Sequence, residues 1–128
     1  LGSLSAIAQG YFSLHFPIND KSSKTGCSQL FEACLNSADL TEASLRGADL
    51  RRASINVANL TNADLRGARF HNTSFYKANL IGANLSGTDL GGCDFWEANL
   101  TGANLEGSSL RCTNFRNTIM PDGTIRNS

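Results

Sequence analysis

The sequence is short of the residues that most chemistry needs: two histidines, one tryptophan, one methionine and two prolines in 128 residues. Each shortage closes a class of function. Neither His15 nor His71 stands in a motif with a nucleophile or carboxylate that would build a triad or a metal site. Cys27, Cys34, Cys93 and Cys112 are spaced by 7, 59 and 19 residues, which matches no zinc ribbon or finger. No glycine-rich phosphate loop is present, because Gly82, Gly87, Gly92, Gly102 and Gly107 recur every five residues and read as turn glycines. An enzyme is therefore not expected, nor a cofactor or a bound metal, although a catalytic domain elsewhere in a longer polypeptide is compatible with this chain. Charge of one sign is also lacking. Lys+Arg and Asp+Glu number 11 each, so the basic face that nucleic-acid binding needs is not expected. No apolar run reaches the roughly 18 residues of a membrane span. Residues 1 to 10 carry no positive n-region of a signal peptide, and the chain begins at Leu1 rather than at Met. A processed mature form and a module of something longer both fit.

What the sequence does have is a period. An apolar residue returns at every fifth position from Leu30 through Leu35, Leu40, Leu45, Leu50, Ile55, Leu60, Leu65, Phe70 and Phe75. The register continues through Leu80, Leu85, Leu90, Phe95, Leu100, Leu105 and Leu110 to Phe115, which makes 18 units without a miss. Two residues before each stands something small, Ala in 12 of the 18 and otherwise Ser28, Thr73, Thr88, Cys93, Ser108 or Thr113. Between the two lies a polar residue, often Asp or Asn, as in Ala38-Asp39-Leu40 and Ala98-Asn99-Leu100. A period of five fits neither the helical 3.6 nor the strand 2.0. It therefore signals a repeat in which each unit turns a corner. The large residue fills a narrow tube and the small one lets the neighbouring wall approach its axis. The other three positions are expected to face water and to vary freely.

This A(D/N)LXX pattern over residues 28 to 119 resembles the pentapeptide-repeat family. The resemblance implies an all-β fold: a right-handed quadrilateral parallel β-helix, a pentapeptide-repeat solenoid with four units to a coil and about 4–5 coils. It divides the chain into an N-terminal cap or linker over 1–26, the β-helix over 27–119, and a C-terminal cap or tail over 120–128. The cap is needed because an open coil end exposes unpaired backbone. Leu4, Ile7 and Ala8 fit one face of a short helix there, Tyr11 to Phe16 alternates like a strand, and Pro17 to Gly26 reads as a loop. In the tail, Met120 and Ile125 keep the register around a Pro121-Asp122-Gly123 turn. The Met120-Pro121-Asp122-Gly123 ending is similar to tails of cyanobacterial members.

Four units to a coil stack residues 20 apart at the strand spacing of about 4.7–4.9 Å. The inner ladder Leu35, Ile55, Phe75, Phe95 and Phe115 then stacks three aromatic rings. On the outside, Asp49, Arg69 and Asp89 form a column of alternating charge, expected as solvated ion pairs, with Arg51, Arg52, His71 and Arg111 beside it. Asp39, Asn59, Asn79 and Asn99 form a further column. Thr41, Thr61, Ile81 and Thr101 form another, too short and interrupted for ice binding. A more informative column is Asn56, Tyr76, Trp96 and Arg116, with Lys77 over Glu97 beside it. Cross-strand stacking with a cation–π contact accounts for it structurally. Trp, Tyr and Arg also dominate interface hot spots, so Tyr76, Trp96, Arg116, Lys77 and Glu97 are the candidate partner-docking patch. By register Cys93 points inward and Cys112 outward. Four free thiols are expected, while Cys27 with Cys34 and Cys93 with Cys112 are pairings the sequence leaves open.

The expected function is a non-catalytic protein–protein interaction scaffold with no partner identified. It is either free-standing or a regulatory or targeting module of a larger signalling protein, as the family's fusions to cyanobacterial Ser/Thr kinases suggest. An open coil end also admits a homodimer. The cytoplasm is the favoured compartment, with the thylakoid lumen or periplasm as the alternative for a processed chain. The alternative function is DNA mimicry, as in the family's gyrase-protecting members. Duplex DNA carries one negative charge per ~1.7 Å of axis, and four to five coils make a rod of about 20–25 Å. Matching it takes about a dozen net negative charges, whereas the 11 acids here are cancelled by 11 bases.

Overall fold

In 17 of the 18 units from Leu30 to Thr118 the amide of the small residue donates to the carbonyl oxygen of the core residue three positions earlier. Ala33 donates to Leu30 at 3.0 Å and Ala98 to Phe95 at 2.8 Å in a computed structural model that describes residues 30–127. The expected N-terminal cap over 1–26, its short helix and Cys27 lie outside the described residues. The second residue of every corner has φ between +54° and +73°, in all 18 units from Glu32 to Asn117. A positive φ at the third residue of a four-residue turn is the signature of type II. Glycine takes seven of these positions and other residues eleven, among them Val57 at +62°. A β-branched residue held there costs on the order of 1–3 kcal/mol.

Four such corners close a coil, and residues n and n+20 then pair as parallel bridges, from Cys34 with Ser54 to Asn99 with Ile119. The result is an all-β, right-handed quadrilateral β-helix. Two backbone ladders join the coils. One runs through the walls, as from Leu35 N–H to Ser54 O at 2.7 Å and from Ser54 N–H to Ala33 O at 2.9 Å. The other runs through the corners, as from Val57 N–H to Tyr76 O at 2.8 Å.

The core residues from Leu30 to Leu100 are at most 1% exposed. In the inner ladder, Phe75 and Phe95 stack at 4.7 Å between centroids and 1° between planes, and Phe95 and Phe115 at 5.5 Å and 7°. Phe70 adds an edge contact to Phe75 at 5.2 Å. Where the small residue is not Ala, its polar atom is satisfied inside the tube. Cys93 and Thr118 donate to the carbonyl oxygens of Phe70 and Phe95, at 2.8 and 2.7 Å. Thr113 and Ser108 do the same to Leu90 and Leu85, at 2.9 and 2.7 Å. Each carbonyl lies at the turn one coil below. Burial pushes the Cys93 thiol up to about 12, so it stays protonated and unreactive. Cys34, Cys93 and Cys112 are free, the first and last exposed, so Cys93 and Cys112 are not paired.

The C-terminal register departs from expectation. β1 (Thr118–Ile119) pairs antiparallel with β2 (Ile125–Arg126) around a turn closed by Gly123 N–H to Met120 O at 2.8 Å. Met120 packs against the core, but the chain has reversed direction, so Ile125 leaves its column and is 65% exposed. Arg126 instead lies over the Phe115 ring, 4.7 Å from its centroid. Leu110 is 37% exposed, because no coil stacks on it among the described residues. Phe95→Ala removes the middle ring of the ladder and is expected to cost about 3–5 kcal/mol in denaturant unfolding. Arg66→Lys, on an exposed pair with Asp64, is expected to change stability by less than about 0.5 kcal/mol. Equal losses from the two would mean that the five-residue register is misassigned.

Candidate protein-docking site

The outward positions divide into those that build the corner and those that are free to recognise something. The Asp or Asn that most often stands just before a core residue belongs to the first group, which corrects the expectation that this position varies freely. Its side chain accepts the amide two residues on, closing an Asx turn over the corner. Asp39 holds Thr41 N–H at 3.1 Å, Asn79 holds Ile81 at 3.0 Å, and Asp94 holds Trp96 at 3.0 Å. At Ser54 and Ser74 a serine stands in that place, and the acceptor comes from the coil below. Asn36 Oδ1 takes Asn56 N–H at 2.8 Å and Asn56 Oδ1 takes Tyr76 N–H at 3.0 Å. The Thr41, Thr61 and Thr101 hydroxyls donate back to Asp39, Asn59 and Asn99 at 2.6–2.7 Å. That column therefore has its hydrogens turned inward.

Charges behave in the same local way. The expected column of ion pairs through Asp49, Arg69 and Asp89 does not form. Asp49 is forked by Arg51 of its own turn at 2.7 and 2.8 Å, and Asp89 accepts Gly91 N–H at 2.9 Å. Arg51 is two residues away and needs no reach across coils. Arg52 pairs with Glu32 at 3.0 Å, and both arginines lie over Phe31, at 5.3 and 5.9 Å from its centroid. The positive wall expected from Arg51, Arg52, His71 and Arg111 is thus half neutralised. A recess of about 480 Å³ opens there above Gly91 and Gly92, but its lining sets Asp89 against His71 and Arg111. Those opposed charges favour no single ligand. Among the described residues no three His, Cys, Asp or Glu side chains gather where they could hold a metal ion.

The five residues of the candidate docking patch come together. Tyr76 and Trp96 stack tilted, 5.5 Å between centroids and 58° between planes. The Arg116 guanidinium carbon lies 5.7 Å from the Trp96 centroid. Lys77 Nζ is 5.5 Å from the Tyr76 centroid and 3.6 Å from a Glu97 carboxylate oxygen. Tyr76, then Glu97, raise the Lys77 ammonium above its ordinary value. Trp96 is 38% exposed, so the column is a surface and not a second core. The structure adds one residue that periodicity hid. Val57, 54% exposed, lies below Lys77 in the neighbouring column. The available signal was its type: an exposed β-branched residue at a corner position that glycine favours.

Comparisons with known proteins agree with this architecture. The family model described as pentapeptide repeats matches in 8 copies, over residues 33–72, 58–92 and 89–122. Rfr23, a pentapeptide repeat protein from the cyanobacterium Cyanothece 51142, is similar at 31% identity and TM-score 0.52, over 70% of this chain and 55% of that one. HetL, a pentapeptide repeat protein involved in heterocyst differentiation regulation from Nostoc sp. strain PCC 7120, is 28% identical at TM-score 0.36, covering 76% of this chain and 61% of its own. A pentapeptide repeat protein of the Arabidopsis thaliana thylakoid lumen is 28% identical at TM-score 0.37, covering 79% and 74%. Comparison with curated proteins finds no match. The chain belongs to the pentapeptide-repeat family, and it spans under two thirds of the length of Rfr23 and HetL.

Hydrogen bonds hold four carboxyls below their ordinary value of 3.8: Asp39 by the Thr41 hydroxyl, Asp49 by Arg51, Asp64 by Arg66 and Asp122 by the Thr124 hydroxyl. A carboxyl lowered in the folded chain stabilises it fully above the unfolded value. That contribution is lost as pH falls through the folded one. The melting temperature is therefore expected to be level from about pH 7 to 5 and to fall below about pH 4. Asp49→Asn should flatten the acid limb. A melting temperature unchanged down to about pH 2 would show that these contacts add nothing to stability.

Proposed function

We propose that the chain is a non-catalytic scaffold for protein–protein interaction, free-standing or a regulatory or targeting module of a larger signalling protein such as a Ser/Thr kinase. The observation that carries this reading is the exposed column of Tyr76, Trp96 and Arg116, with Lys77 and Glu97 beside it. Tyr, Trp and Arg are the residue types enriched among interface hot spots. Here the rings are held in place before any partner arrives, since each sits on a corner closed by hydrogen bonds, and binding then orders little. Membership of a family of scaffold-like repeat proteins supports the same reading.

DNA mimicry is the contrasting alternative, and charge argues against it. Glu32, Asp49, Asp64 and Glu97 each have a basic partner within 4.0 Å, so no continuous acidic face runs along the rod there. A type II topoisomerase supercoiling assay at low micromolar protein is expected to show neither inhibition nor protection at any salt concentration. Salt-sensitive inhibition would replace the scaffold with a mimic. Trp96→Ala is expected to keep stability within about 1 kcal/mol by thermal unfolding. A variant that unfolds would make the aromatic column structural.

A further inference from the structure

Among the described residues, Val57 is the only β-branched one of the eleven non-glycine residues in the left-handed corner position. Branching at Cβ is what that conformation tolerates least. Burial gives little in return, because the side chain is 54% exposed. Folding alone thus gives no reason for valine here, and backbone strain kept at an exposed position marks a functional contact. Its amide donates to the Tyr76 carbonyl oxygen at 2.8 Å, which sets Val57 one coil below and one column beside the Tyr76–Trp96 stack.

The other end of the stack has an unmatched charge. Arg116 rests on Trp96, and none of the ion pairs among the described residues includes it. Lys77 is already met by Glu97 at 3.6 Å. Asp94, the acid in the adjoining column, is held by Trp96 N–H at 3.0 Å and the Asn114 amide at 2.9 Å. Val57 and Arg116 are one residue short of three coils apart, about 14 Å at the strand spacing. An extended peptide covers that distance in four steps of about 3.3–3.4 Å, with its first, third and fifth side chains on one side.

We infer that this corner binds an extended peptide segment of a partner protein, lying along the rod, with apolar residues at its first and third positions and a carboxylate at its fifth. The first side chain covers Val57, the third lies against Tyr76 and Trp96, and the carboxylate pairs with Arg116. This rests on the scaffold reading and adds the partner's chemistry to it.

Trp96 is the only tryptophan in the chain, so intrinsic tryptophan fluorescence reports on this corner alone. The probe is an acetylated, amidated Leu-Ser-Leu-Ser-Glu peptide, titrated to millimolar concentration. It is compared with Leu-Ser-Leu-Ser-Lys and with Leu-Leu-Ser-Ser-Glu, which breaks the alternation. Saturable binding of the first is expected, at least about tenfold tighter than either control, which is about 1.4 kcal/mol. Arg116→Glu is expected to reverse the preference toward the Lys peptide. Val57→Gly is expected to raise the melting temperature by a few degrees and yet weaken binding of the Glu peptide about tenfold. A purely structural valine would not couple a gain in stability to a loss of binding. Equal affinity for the three peptides, no saturable binding of any, or Val57→Gly that binds like the parent chain would each overturn the inference. The scaffold reading would survive those results, since it falls separately, by inhibition in the supercoiling assay.

Discussion

The corner turn is the constraint on which the rest of the structure depends. A square tube wide enough for one large side chain per wall has to change direction every five residues, and it does so with a backbone bend at positive φ. That bend fixes which residue faces inward, which amide is left over and which carbonyl meets the next coil. The core stacks because corners superpose. Phe75 and Phe95 lie 1° from parallel because the units that carry them turn identically. Pairing of n with n+20 from Cys34 to Ile119 is the same statement made by the backbone.

Local closure also governs the electrostatics. An Asp or Asn before the core residue is placed to accept the corner amide two residues later, and a long base at that later position is placed to fork the same carboxylate. Asp49 with Arg51 and Asp64 with Arg66 follow this geometry, with Nη2 to Oδ2 distances of 2.7 Å in both. Charge is thereby neutralised within a turn before it can build a pattern along a face. A column that looks charged when written out in register, such as Asp49, Arg69 and Asp89, is for this reason a poor guide to the potential of the wall.

The inner half of the fold was legible in the sequence because burial is unforgiving: a charged side chain at a core position of the tube would have no partner. That argument places Leu65 and Phe95 with no structure in hand, and it holds until coils stop stacking, at Leu110, and the chain reverses, at Ile125. The outer half was legible only in part. Periodicity marks Asn36 and Asn56 as polar, but it cannot show that they replace the missing Asx at Ser54 and Ser74, because the acceptor crosses from one coil to the next. Thr73 and Thr113, which stand in the small position by register, bond a carbonyl 23 residues earlier, and Thr118, outside the units counted in the sequence, does the same. That relation appears only once the coil is closed. Val57 was hidden for a different reason, since hydropathy has no term for backbone strain. The aromatic column of Tyr76 and Trp96 was legible as a juxtaposition of types, and its tilt and its cation contacts were not.

The division of labour among the five positions says where such a rod can carry recognition. Two positions fill the tube and a third closes the corner, so a change at any of them disturbs folding. Of the remaining two, the second lies at positive φ, where glycine or asparagine is least strained and a bulky residue costs stability. Only the first corner residue is free of both burial and strain. Chemistry displayed by this fold should therefore gather there, in vertical columns one strand spacing apart, where aromatic rings and guanidinium groups can stack. Asn56, Tyr76, Trp96 and Arg116 occupy one such column. A β-branched residue in the strained second position occurs once among the described residues, at Val57 beside that column. Exposed Ile81, at an unstrained first corner position, breaks no rule and implies nothing by itself.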